Sequence, residues 1–235
     1  MRVLVTRPQP GAAITAERLH ALGHQALLSP VSILRPIAAF PPAAPVDAVV
    51  VSSANALRVL QPAVLESIRL LPVFTVGVAT ARMAQTLGLD AISGPGTAEQ
   101  LPATIARRFA SPARLLYLAG EPRKPVLEQS LAASGYTLIV HLCYRMESAT
   151  SLTSAARAAL EDGAVDAVLH FSQESAKRFS TLVVAAGCAD AARPIRHICM
   201  SADVVAGLKA LNPGITQCAE RPTEEALLRL LDKGD

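Results

Sequence analysis

Serines recur in this chain where an apolar run gives way to a helical pattern. Ser52 and Ser53 follow Asp47-Ala-Val-Val-Val, and Ser172 and Ser175 follow Asp166-Ala-Val-Leu-His-Phe. A hydroxyl at that step accepts from the backbone N–H groups that a helix start leaves unpaired, so helix capping is the ordinary chemistry of all four. His170 and Ser172 invite a sharper reading, as base and nucleophile. They share one strand face with Asp166, however, and side chains on one face point in parallel rather than at one another, which favours a structural role. Tyr144 ends an apolar run and precedes Arg145. A phenol there can pack its ring and hydrogen-bond its hydroxyl, or it can donate a proton. Arg7 and the Arg123-Lys124 pair either face solvent or, in a cleft, meet an anion.

Other chemistries lack their residues. Gly94-Pro95-Gly96 before a helical pattern hints at a phosphate loop, but no third glycine follows at the required place and no Lys-Ser/Thr pair follows. Cys143, Cys188, Cys199 and Cys218 lie far apart without a CxxC or a Cys/His spacing that would hold zinc. They read as buried cytosolic thiols. The five histidines form no HExxH or carboxylate-rich cluster, so no metal and no cofactor is expected. A formal charge of +3, scattered along the chain, argues against nucleic acid as a partner. No apolar run reaches membrane-spanning length, and Met1-Arg2 leads directly into a strand-like run rather than an address signal, so the expected place is the cytoplasm.

The elements that must position these residues read as alternating strands and helices. Strand-like runs are 3–6, 25–28, 48–52, 73–76, 91–93, 115–118, 137–142, 167–171, 197–200 and 215–218. Helical spacing covers 12–22, 79–87, 98–109, 126–133, 174–186, 204–211 and 223–231. Apolar residues make up 51% of the chain with few aromatics and no Trp, which suits parallel strands of Ala, Val, Leu and Ile buried beneath helices. The chain also repeats itself. Asp47–Arg58 is echoed by Asp166–Lys177, and Val3–Arg7 with its following helix by Leu115–Gly120 and its helix, giving the order A, B, A′, B′. Two like domains facing across a cleft follow from that order, and the fold class predicted is α/β, two flavodoxin-like doubly wound parallel sheets joined by a two-stranded linker. Residues 24–37 and 136–147 are too long for one strand each, and both close an A segment. If each continues as a linker near 30–37 and 143–149, one domain is 1–34 with 148–235 and the other, 35–147, is inserted in it. A split at 110/111 satisfies the repeat equally well.

Several segments, in order, resemble the uroporphyrinogen-III synthase family. They are Val5-Thr6-Arg7-Pro8, Val51-Ser52-Ser53-Ala54-Asn55-Ala56-Leu57, Val76-Gly77-Val78-Ala79-Thr80-Ala81, Tyr144-Arg145, Phe171-Ser172 and Arg221-Pro222-Thr223. The resemblance runs nearly end to end and favours the inserted-domain arrangement. It implies a cyclising lyase of heme biosynthesis whose substrate is hydroxymethylbilane, a linear tetrapyrrole bearing many carboxylates. Water is lost as the ring closes with its last pyrrole inverted. Helix amino termini, with unpaired N–H groups and the positive end of the dipole, would hold the carboxylates. The implied substrate-binding residues are Arg7, Ser52, Ser53, Asn55, Gly77, Thr80, Gly120, Arg123, Lys124, Ser172, Ser175 and Ser201, and the implied catalytic residue is Tyr144, assisting departure of the hydroxyl. A monomer is expected, with the small-molecule substrate as its partner and neither nucleic acid nor membrane. The other reading left open by the residues is a non-catalytic two-lobed binding protein for an acidic metabolite.

Overall fold

Short runs of Val, Ile and Leu make the strands, and in the computed structural model, which describes residues 1–38 and 44–232, they build two sheets. In chain order the strands are β1 (Arg2–Val5), β2 (Gln25–Leu28), β3 (Ser32–Pro36), β4 (Ala48–Val51), β5 (Val73–Thr75), β6 (Ala91–Ser93), β7 (Arg114–Glu121), β8 (Thr137–Ser148), β9 (Ala167–His170), β10 (Arg196–Cys199) and β11 (Ile215–Cys218). The helices are α1 (Gly11–Ala21), α2 (Ala54–Arg58), α3 (Pro62–Ile68), α4 (Val78–Thr86), α5 (Leu101–Ala106), α6 (Val126–Ala133), α7 (Ser154–Glu161), α8 (Gln173–Ala185), α9 (Ala189–Ala192), α10 (Ala202–Ala206) and α11 (Glu224–Asp232).

The chain divides into two compact units, Met1–Leu34 with Glu147–Asp235, and Arg35–Met146. The first unit holds a parallel sheet in the order β2-β1-β9-β10-β11. Alternation along its strands separates two apolar layers. Val3, Val5, Ala167 and Leu169 pack with Leu19 of α1 and Leu227 of α11, whereas Leu4 and Val168 pack with Leu160 of α7 and Phe179 of α8. The second unit holds β8-β7-β4-β5-β6, also parallel. On one face of it Val50, Phe74, Leu115 and Tyr117 meet α5 and α6 through Leu101, Ile105, Leu127 and Leu131.

The repeat explains both orders. Counting the A segment as strands one and two and the B segment as three to five, β2-β1-β9-β10-β11 and β8-β7-β4-β5-β6 are the same sheet, 2-1-3-4-5, the flavodoxin order. Each unit therefore combines an A segment with the B segment of the other half of the repeat. The chain passes between units on β3 and β8, which lie side by side. They run antiparallel, because the Ile37 N–H donates to the Cys143 carbonyl and the Ala149 N–H to that of Val31. The overlong segment 24–37 is thus two strands, broken at Ser29-Pro30, where Pro supplies no N–H to continue a ladder. Segment 136–147 is one continuous strand, β8.

Local differences from the sequence reading have local causes. Pro102 fits only the first turn of a helix, so α5 begins at Leu101 rather than at residue 98. The helical pattern at 204–211 is instead the short α10 followed by turns. Helices α2, α3 and α9 went unread because each is short, and α7 because its buried stripe, Ala156, Ala159 and Leu160, is mostly Ala and so weakly apolar.

Buried in the first unit is a pair of imidazoles. The Nε2 of His170 lies 3.0 Å from Nδ1 of His197, whose own Nε2 lies 3.0 Å from the Ala192 carbonyl oxygen. The carbonyl can only accept, so His197 carries its proton on Nε2 and receives one from His170. Burial, and then the neighbouring imidazole, hold His170 well below the ordinary imidazole range. Burial lowers His197 as well, against the carbonyl, which favours its charged form. A lowered folded-state pKa means that the unfolded chain takes up protons first as pH falls. Stability is therefore full above the unfolded value of about 6.5 and declines below it, towards the folded-state values. At about pH 5.5, imidazole nitrogen signals in NMR should still report both rings neutral in the native protein while its melting temperature is already below that at about pH 7.5. Native rings protonated at that pH would contradict the assignment.

Candidate functional site

Ligands of doubly wound sheets bind outside the carboxyl ends of the strands, where the strand order reverses. In the second unit that point lies between β4 and β7, whose register pairs Val50 with Tyr117 and Val51 with Leu118. Ser52 leaves β4 there and Gly120 lies near the end of β7. The two border a pocket of about 410 Å³, lined also by Tyr117, Tyr144, Arg123, Lys124, Glu99 and the apolar edge of α6.

Tyr144 reaches this pocket through an irregularity. Along β7 and β8 the register runs Leu118 with His141 and Ala119 with Leu142, then jumps to Gly120 with Tyr144, so Cys143 is an extra residue on β8. Such a bulge re-aims the side chains beyond it. The ring of Tyr144 then lies against the bare Cα of Gly120, where an added Cβ would come within 2.1 Å of Cζ and 2.4 Å of the hydroxyl oxygen. Only glycine leaves room for the phenol in this position. The neighbouring Cys143 is no nucleophile, since burial pushes its thiol up to about 11.

Two arginines at or beside the pocket are paired with carboxylates. Arg123 donates from Nε to Glu128 Oε1 at 2.7 Å, and that hydrogen bond raises the guanidinium pKa further. Arg145 makes a 2.8 Å bond to Glu121, which balances that carboxylate beside the pocket, and a second carboxylate, that of Glu99, lines the pocket itself. Both pairs are at least partly exposed and screened by water, so they orient more than they stabilise. Inside the rim, the Tyr117 hydroxyl lies 2.8 Å from Ser52 Oγ. Burial raises the Tyr117 pKa, outweighing the opposing effects of the Ser52 hydrogen bond and of Arg123.

Of the residues singled out from sequence, the pocket gathers Tyr144, Ser52, Gly120, Arg123 and Lys124. Ser53 is the N-cap of α2, its Oγ accepting from the Asn55 N–H at 3.2 Å, while Asn55 accepts from Arg58. Gly77 is the N-cap of α4, and Thr80 is buried one turn on. These four lie in the same unit but do not line the pocket. Arg7, Ser172, Ser175 and Ser201 belong to the other unit. There Ser172 caps α8 by accepting from the Ser175 N–H and donates its own proton to Ser175 Oγ, so Ser175 completes the cap rather than forming one. Arg7 is held over the Phe171 ring at 4.3 Å and bonds Glu224, which also takes bonds from Thr15 and Arg18. Ser201 starts α10 without a side-chain cap bond. Asp166, His170 and Ser172 turn to three different tasks, since Asp166 accepts from the Arg2 N–H and His170 pairs with His197. Sequence reasoning passed over Tyr117, Glu128 and Glu224. A tyrosine inside an apolar strand reads as core, and the Arg7–Glu224 pair spans nearly the whole chain.

The caps make a simple expectation. Ser53→Ala and Ser172→Ala should each lower stability by roughly 0.5–2 kcal/mol while retaining most turnover, because the backbone N–H groups remain. Denaturant melts and initial rates check this, and a well-folded, inactive variant would assign the lost hydroxyl a direct chemical role.

Among the described residues no group of three His, Cys, Asp or Glu side chains is placed to hold a metal ion, and no helix is long and apolar enough to cross a membrane. The fold and site together define a doubly wound α/β protein with two sheets of like order, whose pocket offers phenols, a hydroxyl, cations and a carboxylate. The sequence matches the family described as uroporphyrinogen-III synthase HemD over residues 14–229, and the chain belongs to that family. The fold is similar to that of uroporphyrinogen-III synthetase from Helicobacter pylori, with 16% identity, 98% of each chain covered and a TM-score of 0.67. It is also similar to a mutant uroporphyrinogen III synthase from Thermus thermophilus, with 18% identity, 99% of this chain and 98% of that one covered, and a TM-score of 0.58. No individual curated protein matches the sequence closely enough for comparison.

Proposed function

We propose that this chain closes hydroxymethylbilane into uroporphyrinogen III, as a cyclising lyase of heme biosynthesis, and that the Tyr144 pocket is where the leaving hydroxyl is received. Family membership supports the reaction. The observation that carries the site is the phenol of Tyr144 seated on Gly120 at the point where the strand order reverses, beside Ser52, Arg123 and Lys124.

In this reading the Tyr144 hydroxyl donates its proton to the substrate's hydroxymethyl oxygen, which departs as water and leaves an electrophilic azafulvenium cation beside the phenolate. The far pyrrole attacks through its already substituted carbon, forming a spiro intermediate that fragments and recloses inverted. The closing pyrrole sheds a proton, which restores the phenol, so protons balance over the cycle. The bilane also cyclises unaided to the non-inverted isomer. Most of the enzyme's work is therefore to hold the chain in the conformation that leads to inversion. Arg123, Lys124 and Ser52 serve this by holding substrate carboxylates. In the other unit the N–H groups at the start of the long helix α8, beside Ser172 and Ser175, offer carboxylates a site of the same kind. Ser53, Asn55, Gly77, Thr80, Ser201 and Arg7 complete the proposed binding set, Arg7 after exchanging Glu224 for a substrate carboxylate. The enzyme is proposed to act as a monomer in the cytoplasm.

The test is to incubate purified protein with freshly prepared hydroxymethylbilane, oxidise the products and separate the isomers. The inverted isomer is expected in excess over the no-enzyme control. The spontaneous isomer alone would overturn the reading.

A further inference from the structure

The Ser52 hydroxyl is not spent on a helix cap. Ser53 caps α2, whereas Ser52 Oγ is engaged by the phenol of Tyr117 at 2.8 Å. The direction of that bond follows from chemistry. A phenol is the stronger donor and the weaker acceptor of the two, because its oxygen lone pair is drawn into the ring. Tyr117 is almost wholly buried, packed by its ring among Val50, Phe74, Leu101 and Leu127, so its proton needs an acceptor, and Ser52 Oγ is the one shown. With the Tyr117 proton on its oxygen, Ser52 keeps its own proton for the pocket that it lines together with Arg123 and Lys124.

We propose that Tyr117 is a positioning residue, its phenol donating to Ser52 Oγ and thereby turning the Ser52 O–H towards a substrate carboxylate held by Arg123 and Lys124. The assignment rests on reading this pocket as the carboxylate-binding part of the synthase site. Burial keeps Tyr117 in the donor form at neutral pH. The ring alone explains the packing of this position, which Phe would satisfy equally. The hydroxyl is the part that packing does not require.

A double-mutant cycle tests the relay in the full-length protein, using Tyr117→Phe, Ser52→Ala and the pair. Two readouts are taken, KM and kcat with hydroxymethylbilane, and Kd for uroporphyrin III by fluorescence titration. Each single change should raise KM and Kd roughly tenfold, the loss of about one hydrogen bond to a charged group, with a smaller change in kcat. The double variant should lie within about twofold of Ser52→Ala, because Tyr117 acts only through Ser52. Ser52→Thr keeps the hydroxyl, and Tyr117→Phe should still cost roughly tenfold in that background. Additive effects in the double variant would overturn the proposal. So would Tyr117→Phe changing the melting temperature but neither KM nor Kd, or an absent Tyr117→Phe effect in the Ser52→Thr background. Wild-type protein that makes only the non-inverted isomer would remove the synthase reading, and the uroporphyrin titration would then decide the relay alone. Wild-type protein that fails to bind uroporphyrin III would overturn the relay as well.

Discussion

Tyr144→Phe should lower kcat by about 10²–10⁴, the range for losing a positioned general acid, while the melting temperature stays near that of the wild type. The ring accounts for most of the buried volume at this position, and Phe keeps it. The hydroxyl is what the substitution removes, and it is the atom beside the Gly120 Cα at the pocket. Isomer analysis adds a second readout. A variant that still binds the bilane but no longer assists departure of its hydroxyl should yield a mixture drifting towards the spontaneous, non-inverted product. Unchanged turnover would reduce Tyr144 to a packing residue and move the acid to another donor in the pocket, of which Tyr117 is the nearest in kind.

Much of the architecture was legible because parallel strands buried on both faces must be continuous apolar runs, and those runs are short and cleanly bounded here. β4 and β9, buried along their whole length, begin where the sequence places them and end one residue sooner. The repeat was legible too, since Asp47 and Asp166 open equivalent strands and do equivalent work. Asp47 accepts from the Arg114 N–H as Asp166 accepts from that of Arg2, each joining the first strand of an A segment to the first of a B segment. What periodicity could not supply is strand order. It emerges only when segments distant in sequence pair, β1 with β9 and β4 with β7.

The site was legible in part, for a related reason. Ser52, Gly120 and Tyr144 sit at strand ends, which sequence can locate, and the structure brings those ends together around one pocket. Tyr117 lies inside a strand, and its hydroxyl acquires meaning only from the neighbouring strand that places Ser52 within reach. Arg7 shows the converse. Its position after β1 marks it for ligand binding, yet Glu224, contributed by the last helix, occupies its guanidinium in this structure. Sequence names a cation but not the carboxylate that meets it first.

Gly120→Ala should damage turnover out of proportion to its size, because the added methyl would fall where the Tyr144 ring already is. A Cβ–Cζ separation of 2.1 Å is far inside contact distance, so either the strand or the phenol must move. The atoms that the methyl would meet are the far end of the Tyr144 side chain, which lies at a pocket with open space to one side, whereas Gly120 is backbone paired in the ladder with β8. The phenol is therefore the part that yields. Overpacking of this kind costs about 1–3 kcal/mol. The larger consequence is kinetic. Displacing the hydroxyl by about 1 Å can cost 10²-fold, so kcat should fall nearly as far as in Tyr144→Phe. Combining the two changes separates the effects. In the Tyr144→Phe background Gly120→Ala should still lower stability, because the Phe ring collides with the same methyl, but it should remove little further kcat, since the hydroxyl is already gone. If Gly120→Ala multiplies the loss in that background by another 10²-fold, Gly120 serves the substrate directly, through its backbone, rather than by seating the phenol.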